Sequence, residues 1–106
     1  MNLNLSQELK TEILELIEWL NKNRPYTAPH AFEETRNYIR ITSRGTSVYC
    51  FIVKSTFQNK AIGKVEEGDL LLPASYQNPA KHIRGNLFER ESWNSVFGEY
   101  GMRTLR

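Results

Sequence analysis

The chain has 106 residues and a mass of 12.4 kDa, so it is expected to fold as a single domain over residues 1–106. Hydrophobic residues make up 40% and charged residues 25%, which excludes a wholly disordered or collagen-like chain. No apolar run reaches the roughly 18 residues of a membrane-spanning helix, and the N-terminus does not resemble a signal peptide. The single cysteine, Cys50, excludes an intramolecular disulfide and fits a reducing cytosol.

Charge is unevenly distributed, although the net charge is only +2. Residues 8–34 carry six acids against three bases. Residues 35–65 carry six bases and no acid, and residues 70–88 carry two further bases and again no acid. This asymmetry predicts a basic face that attracts polyanions. The alternative is that an acidic helix and a basic sheet merely offset one another.

Near the N-terminus, apolar residues recur at steps of three and four, with charged residues between them. The apolar positions are Leu9, Ile13, Leu16, Ile17 and Leu20. This spacing predicts an amphipathic helix over residues 6–22 that buries these side chains. Asn4 or Ser6 is expected to cap its N-terminus, and Pro25 to stop it.

The connector over residues 25–35 contains two prolines. Pro29 is expected to open a short helical turn that carries Phe32 inward and leaves His30 exposed. Neither His30 nor His82 has a second ligand at metal-binding spacing, so no metal site is expected.

Two strands, joined by a hairpin turn at residues 43–46, are predicted over residues 38–42 and 48–53. The second strand is apolar throughout, which is typical of a central strand covered on both faces. Cys50 is therefore interpreted as a small buried hydrophobe rather than a nucleophile. A third strand follows at residues 70–72. The strand at residues 37–42 is expected to be an exposed edge that could pair with a second copy, giving a homo-oligomer.

Further along the chain, Asn78 as cap, Pro79 at the first position and Gly85 at the end predict a short helix. Another short helix is expected over residues 92–97. The predicted fold class is α+β: a small antiparallel sheet of three to four strands within residues 37–72, packed against the N-terminal helix. Residues 73–106 supply a loop, short helices and a tail.

A motif lies between Gly68 and Leu87: G-D, four residues, A-S-Y, two residues, P-A-K, two residues, R-G-N. With a preceding hairpin and a Y-G-x-x-x-L-R tail at residues 100–106, it resembles a group of small uncharacterised bacteriophage-encoded proteins over residues 36–106. The resemblance implies a phage origin and the cytoplasm of the infected bacterial host, but no chemistry. The chain departs from that group at Pro73, Tyr76, Gln77 and Thr104, where the group has Ala, Trp, Lys and Tyr, and in a longer segment at residues 55–67.

The segment over residues 75–84 is a candidate anion site. Free N–H groups at the start of the predicted short helix, with the Ser75 hydroxyl and the cations Lys81 and Arg84, would suit a phosphate or a carboxylate. The alternative is plain helix capping with both cations solvated.

Nucleic-acid binding through a basic face is the leading functional hypothesis. Its strands also carry Tyr38, Tyr49 and Phe57, which could stack on bases. The candidate nucleic-acid or anion-binding residues are Arg36, Arg40, Arg44, Lys54, Ser75, Tyr76, Lys81, His82 and Arg84. Two alternatives remain: an inhibitor that binds a host defence or nucleic-acid-processing protein through an acidic helix that mimics nucleic acid, and a nucleotide or small-anion binder at residues 75–84.

Enzyme signatures are absent from the sequence, which lacks a Walker-type phosphate loop, a His-Glu-x-x-His motif and a nucleophile elbow. Ser75, His82 and Asp69 could form a catalytic trio, but residues of these types are too common to indicate one. No catalytic residue and no cofactor is therefore assigned.

Overall fold

A computed structural model describes residues 6–98 of the chain. The helices and strands, in chain order, are α1 (Gln7–Asn23), β1 (His30–Glu34), β2 (Tyr38–Ser43), β3 (Ser47–Val53), β4 (Phe57–Asn59), β5 (Gly63–Val65), β6 (Asp69–Pro73), β7 (Pro79–Asn86) and α2 (Trp93–Val96). Short 3-10 turns follow α1 and precede α2. The expected C-terminal tail lies outside the described residues.

Helix α1 has the predicted amphipathic form. The Ser6 hydroxyl accepts a hydrogen bond from the Leu9 N–H at 3.0 Å, which satisfies one of the free donors at the helix start. The stripe that includes Leu9, Ile13 and Leu16 is fully buried, whereas Ile17 is only partly buried. The helix therefore supplies one side of the main core.

The sheet is larger than expected but belongs to the predicted class. Five antiparallel strands lie in the order β1-β2-β3-β6-β7, and β4 pairs with β5 in a separate hairpin. The structure is therefore α+β, with a five-stranded sheet in place of the expected three to four strands. The sheet spans residues 30–86 rather than residues 37–72.

Strand β3 is covered on both faces, as its continuous apolar sequence predicts. Cys50 and Ile52 belong to the core beneath α1. Phe51 and Val53 point to the opposite face and pack with Leu71 of β6 and Val65 of the β4–β5 hairpin. Val48, at the start of the strand that was predicted to be covered on both faces, is only partly buried and packs against this second cluster.

Strand β7 replaces the helix that was predicted after Asn78. It pairs with β6, for example Leu71 with Ile83 and Pro73 with Pro79. Without β7, the outer backbone groups of β6 would lack partners, and this non-local pairing outweighs the local helix-start signal. Pro79 is tolerated because it occupies the first position of an edge strand.

The N-terminal edge of the sheet also differs from the prediction. Residues 30–34 form strand β1 rather than a helical turn, so β2 lies inside the sheet and the two edge strands are β1 and β7. Phe32 packs against the core as expected. Copies that associated through a sheet edge would therefore use β1 or β7, not residues 37–42.

His30, which was expected to be exposed, is only 4% exposed. Its Nδ1 lies 2.7 Å from Oδ1 of Asn21 on α1, and its Nε2 lies 2.7 Å from the Thr27 hydroxyl. The ring also stands edge-on to Tyr49. The imidazole thus links α1 to β1 through side-chain hydrogen bonds that depend on tertiary packing, and hydrophobic periodicity does not indicate such contacts.

Replacing Ile13 by Ala should lower the free energy of unfolding by about 2–4 kcal/mol, because the substitution leaves a cavity beneath the sheet. Leu14→Ala is the matched control: its side chain is 50% exposed, and the expected change is within about 0.5 kcal/mol. Urea denaturation of both variants measures the difference. Equal losses would contradict the packing described for α1.

Burial lowers the pKa of His30 to about 4. The ordinary pKa of histidine is about 6.5, so between about pH 4 and this value the unfolded chain binds more protons than the native protein. The free energy of unfolding should therefore fall as the pH drops through this window, by up to about 3 kcal/mol. Urea denaturation at several pH values in this range should show that the free energy of unfolding depends less on pH in His30→Gln than in the wild-type protein. In His82→Gln, which changes an exposed histidine, the wild-type dependence should persist.

Candidate nucleic-acid interface

The sheet face opposite α1, called here the hairpin face, carries Phe51, Val53 and Leu71. The β4–β5 hairpin covers one part of it, and Phe57 of this hairpin packs edge-on against Tyr38 of β2. Because the hairpin covers only part of this face, a second element is needed over Phe51.

The Arg40 side chain lies over the Phe51 ring, and the loop over residues 74–78 packs on Arg40. The Ser75 hydroxyl accepts hydrogen bonds from the N–H groups of Gln77 and Asn78 and so shapes the loop. The Tyr76 carbonyl accepts a hydrogen bond from Nε of Arg40 at 2.8 Å. The Arg40 guanidinium lies 4.6 Å from the centre of the Tyr76 ring and 5.8 Å from that of Phe51. Arg40 of β2 therefore holds this loop against the sheet.

A groove of about 400 Å³ separates this loop from the β4–β5 hairpin. Three chain segments line it, and it is called here the three-segment groove. Its lining residues are Asn37, Tyr38, Asn59, Ala61, Ile62, Asn78, Pro79 and Lys81.

Tyr38 and Asn59 form a fixed polar pair in this groove. The Asn59 amide donates to the Tyr38 hydroxyl at 2.9 Å, while its oxygen accepts from the N–H groups of Ala61 and Ile62. Burial raises the pKa of the Tyr38 hydroxyl, and the hydrogen bond from Asn59 opposes that rise. The hydroxyl therefore remains neutral near neutral pH and keeps its own proton available to donate.

The groove brings together the two acid-free stretches of the sequence. Residues 37–38 and 59–62 belong to the first stretch, and residues 78–81 belong to the second. Lys81 lines the groove, and Arg36 and Lys60 are exposed chain neighbours of lining residues. Within residues 6–98, none of these three cations makes an ion pair. The described residues that line the groove include no carboxylate that would repel a phosphate group there.

Among the predicted site residues, Arg40, Tyr76 and Lys81 come to the hairpin face together. Arg40 is already engaged, because its Nη1 lies 2.7 Å from Glu33 of the neighbouring strand. The Tyr76 hydroxyl donates to the same carboxylate at 3.3 Å. Arg40 thus acts as a positioning residue for the loop, and an exposed cation for phosphate is found at Lys81 instead.

Two of the candidate groups are buried: Lys54, named as an anion-binding cation, and Tyr49, named as a surface for base stacking. The Lys54 ammonium is 4% exposed, lies 2.6 Å from Glu34 and donates to the Thr35 carbonyl at 2.8 Å. Tyr49 is 3% exposed, because a bulge opposite Ile41 and Thr42 places it in the core with Cys50. Long-range partners that no local pattern reveals decide both positions.

The remaining candidates are spread over other parts of the structure. Arg44 lies in the β2–β3 turn with a left-handed backbone, φ 56°, at the opposite end of β2 from Arg36. Arg84 lies at a bulge in β7, and its buried Nε has no hydrogen-bond partner within residues 6–98. His82 is exposed on the same strand. These residues do not join the three-segment groove.

The hypothetical catalytic trio does not form. Asp69 begins β6, where it accepts hydrogen bonds from the Glu66 N–H and the Asn86 amide. Ser75 lies beyond the other end of the same strand, which is roughly 15 Å long. His82 cannot bridge two groups held at opposite ends of β6.

The acidic surface of α1 is partly neutralised from within the chain. Arg90 donates two hydrogen bonds of 2.8 Å to the Glu12 carboxylate and lies 3.7 Å from Glu15. Pairing with these glutamates also raises the pKa of Arg90. A helix whose carboxylates are engaged in this way is a weaker mimic of nucleic acid than its sequence indicates.

Residues 1–102 match the model of a family described as a family of unknown function (DUF7717), and the chain belongs to this family. No curated protein and no solved structure matches the chain significantly. Among residues 6–98 there is no cluster of three or more side chains suited to bind a metal ion. No helix in the same range is long and apolar enough to cross a membrane.

Replacing Lys54 by Met should lower the free energy of unfolding by about 2–3 kcal/mol, because it removes a buried ion pair and leaves Glu34 without its partner. Lys81→Met should change stability by less than about 0.5 kcal/mol, since this side chain is exposed. Thermal or urea denaturation separates the two. A Lys54→Met variant as stable as wild type would restore Lys54 as a candidate ligand-binding cation.

Proposed function

We propose that this protein is a small phage-encoded accessory protein that binds nucleic acid at the three-segment groove. The observation that carries the proposal is the convergence of the two acid-free stretches at one cavity, with Lys81 in its wall and Arg36 and Lys60 beside it. Phosphates that reach these cations release counterions, which is the main source of sequence-independent affinity for nucleic acid.

Aromatic and amide groups beside the cations favour a nucleic acid over a small inorganic anion. Tyr38 lines the groove, and Tyr76 lies exposed on the covering loop. Proteins that bind single strands combine a basic groove with such aromatic surfaces. A nucleic acid would use both kinds of group, whereas a lone phosphate would use only the cations.

The phage assignment rests on the resemblance of the motif over residues 68–87, together with the family membership of the chain, which itself names no activity. On this proposal the protein acts in the cytoplasm of the infected bacterial host. On the same proposal, the nucleic acid binds at the three-segment groove and not at the partly neutralised surface of α1.

Lys81→Glu should weaken binding to a single-stranded oligonucleotide by about tenfold or more, and should reduce the logarithmic salt slope by about 0.7, the value for one phosphate contact on a single strand. Fluorescence anisotropy at several salt concentrations measures both quantities. Lys10→Glu is the matched control, because Lys10 is an exposed lysine on α1, on the other side of the sheet. Both variants should unfold at the wild-type temperature.

No binding by the wild-type protein at low salt would overturn the proposal. Equal losses in the two variants would also contradict it, since affinity would then depend on net charge and not on the groove. Retention of a host protein after nuclease treatment in a pull-down, without any nucleic-acid binding, would favour the inhibitor hypothesis instead.

A further inference from the structure

We infer that the three-segment groove holds one unpaired nucleotide, with its base between the β4–β5 hairpin and the 78–81 segment and its phosphate at Lys81. This inference rests on the proposed function and specifies which part of a nucleic acid the groove recognises. It predicts selectivity for single strands over duplexes.

The size of the groove suits a single nucleotide. Its volume of about 400 Å³ lies near the lower end of the range of small-molecule sites, roughly 300–1,000 Å³. Ile62, Ala61 and Pro79 provide apolar wall surface, and Tyr38 adds an aromatic ring. Such a lining suits the flat faces of a base, whereas the wide, charged body of a duplex could contact only the rim.

Polar groups that suit the edge of a base remain free in the same groove. The side-chain amides of Asn37 and Asn78 make no hydrogen bond within residues 6–98, and each offers both donors and an acceptor. The Tyr38 hydroxyl, which accepts from Asn59, adds a donor. Asparagine amides pair well with base edges, and the Watson–Crick edge is accessible only in an unpaired base.

The amide of Asn59, in contrast, is engaged at both its nitrogen and its oxygen. It holds Tyr38 and closes the turn that leads to Ile62. Asn59 therefore positions the groove, while Asn37 and Asn78 contact the nucleotide. The loop conformation at Asn78 depends on its backbone, whose N–H donates to Ser75 and whose carbonyl accepts from Ala74 and Ser75, so its side chain can be changed without unfolding the loop.

Binding should be compared for a labelled single-stranded oligonucleotide, the same strand with abasic sites, and the same strand in a duplex. The abasic strand and the duplex should bind at least about tenfold more weakly than the intact single strand, because both lose the base contacts. Competition by a free nucleoside monophosphate would support the pocket and identify a nucleotide as a sufficient ligand. Equal affinity for all three nucleic acids would overturn this inference while leaving the proposed function intact; binding to none would overturn the proposed function itself.

Asn78→Ala tests the assignment of residues. It should weaken binding to the single strand several-fold, reduce the difference between the intact and abasic strands, and leave the salt slope unchanged, because no phosphate contact is lost. Gln77→Ala is the matched control, since Gln77 is an exposed neighbouring amide that does not line the groove. If Asn78→Ala still distinguished the intact strand from the abasic strand as strongly as the wild-type protein does, a contact between Asn78 and the base would be contradicted.

Discussion

The structure depends on burying strand β3 on both faces. Cys50 and Ile52 require one cover and Phe51 and Val53 another, since exposed apolar side chains of this size would cost several kcal/mol in total. Helix α1 provides the first cover. The second cover consists of two separate pieces, the β4–β5 hairpin and the 74–78 loop. A gap between two pieces is what makes the three-segment groove.

The same requirement explains the charge pattern. The hairpin and the loop come from the two stretches that contain no acid, so covering the hairpin face also concentrates Lys60 and Lys81 around one cavity. Six of the twelve acids lie on α1 and β1, where Arg90, Arg40 and Lys54 pair with several of them. Negative charge is thus partly neutralised on the helix and at the β1 edge, whereas the cations around the groove make no ion pair within residues 6–98.

How far the sequence predicts this fold depends on the range of the interactions involved. Helix α1 and strand β3 follow from local periodicity, and both were predicted. Strand β7 was mistaken for a helix, because Asn78-Pro79 is compatible with either start and only pairing with β6 decides. His30 and Lys54 were misplaced because their partners, Asn21 and Glu34, belong to other elements of the fold, and only tertiary packing brings them together. The acid-free stretches were visible in the sequence, but their convergence at one groove was not, and neither was the position of Asn37 and Asn78 in its lining.

The most direct test of the central claim is to map chemical shifts by NMR while a single-stranded oligonucleotide is added to the isotope-labelled protein. The backbone signals that shift should belong to residues 36–38, 59–62 and 78–81, together with the side-chain amides of Asn37 and Asn78. Signals from the exposed face of α1 should stay in place. Shifts centred on α1, or scattered over every exposed cation including Arg44, would contradict a specific interface at the three-segment groove.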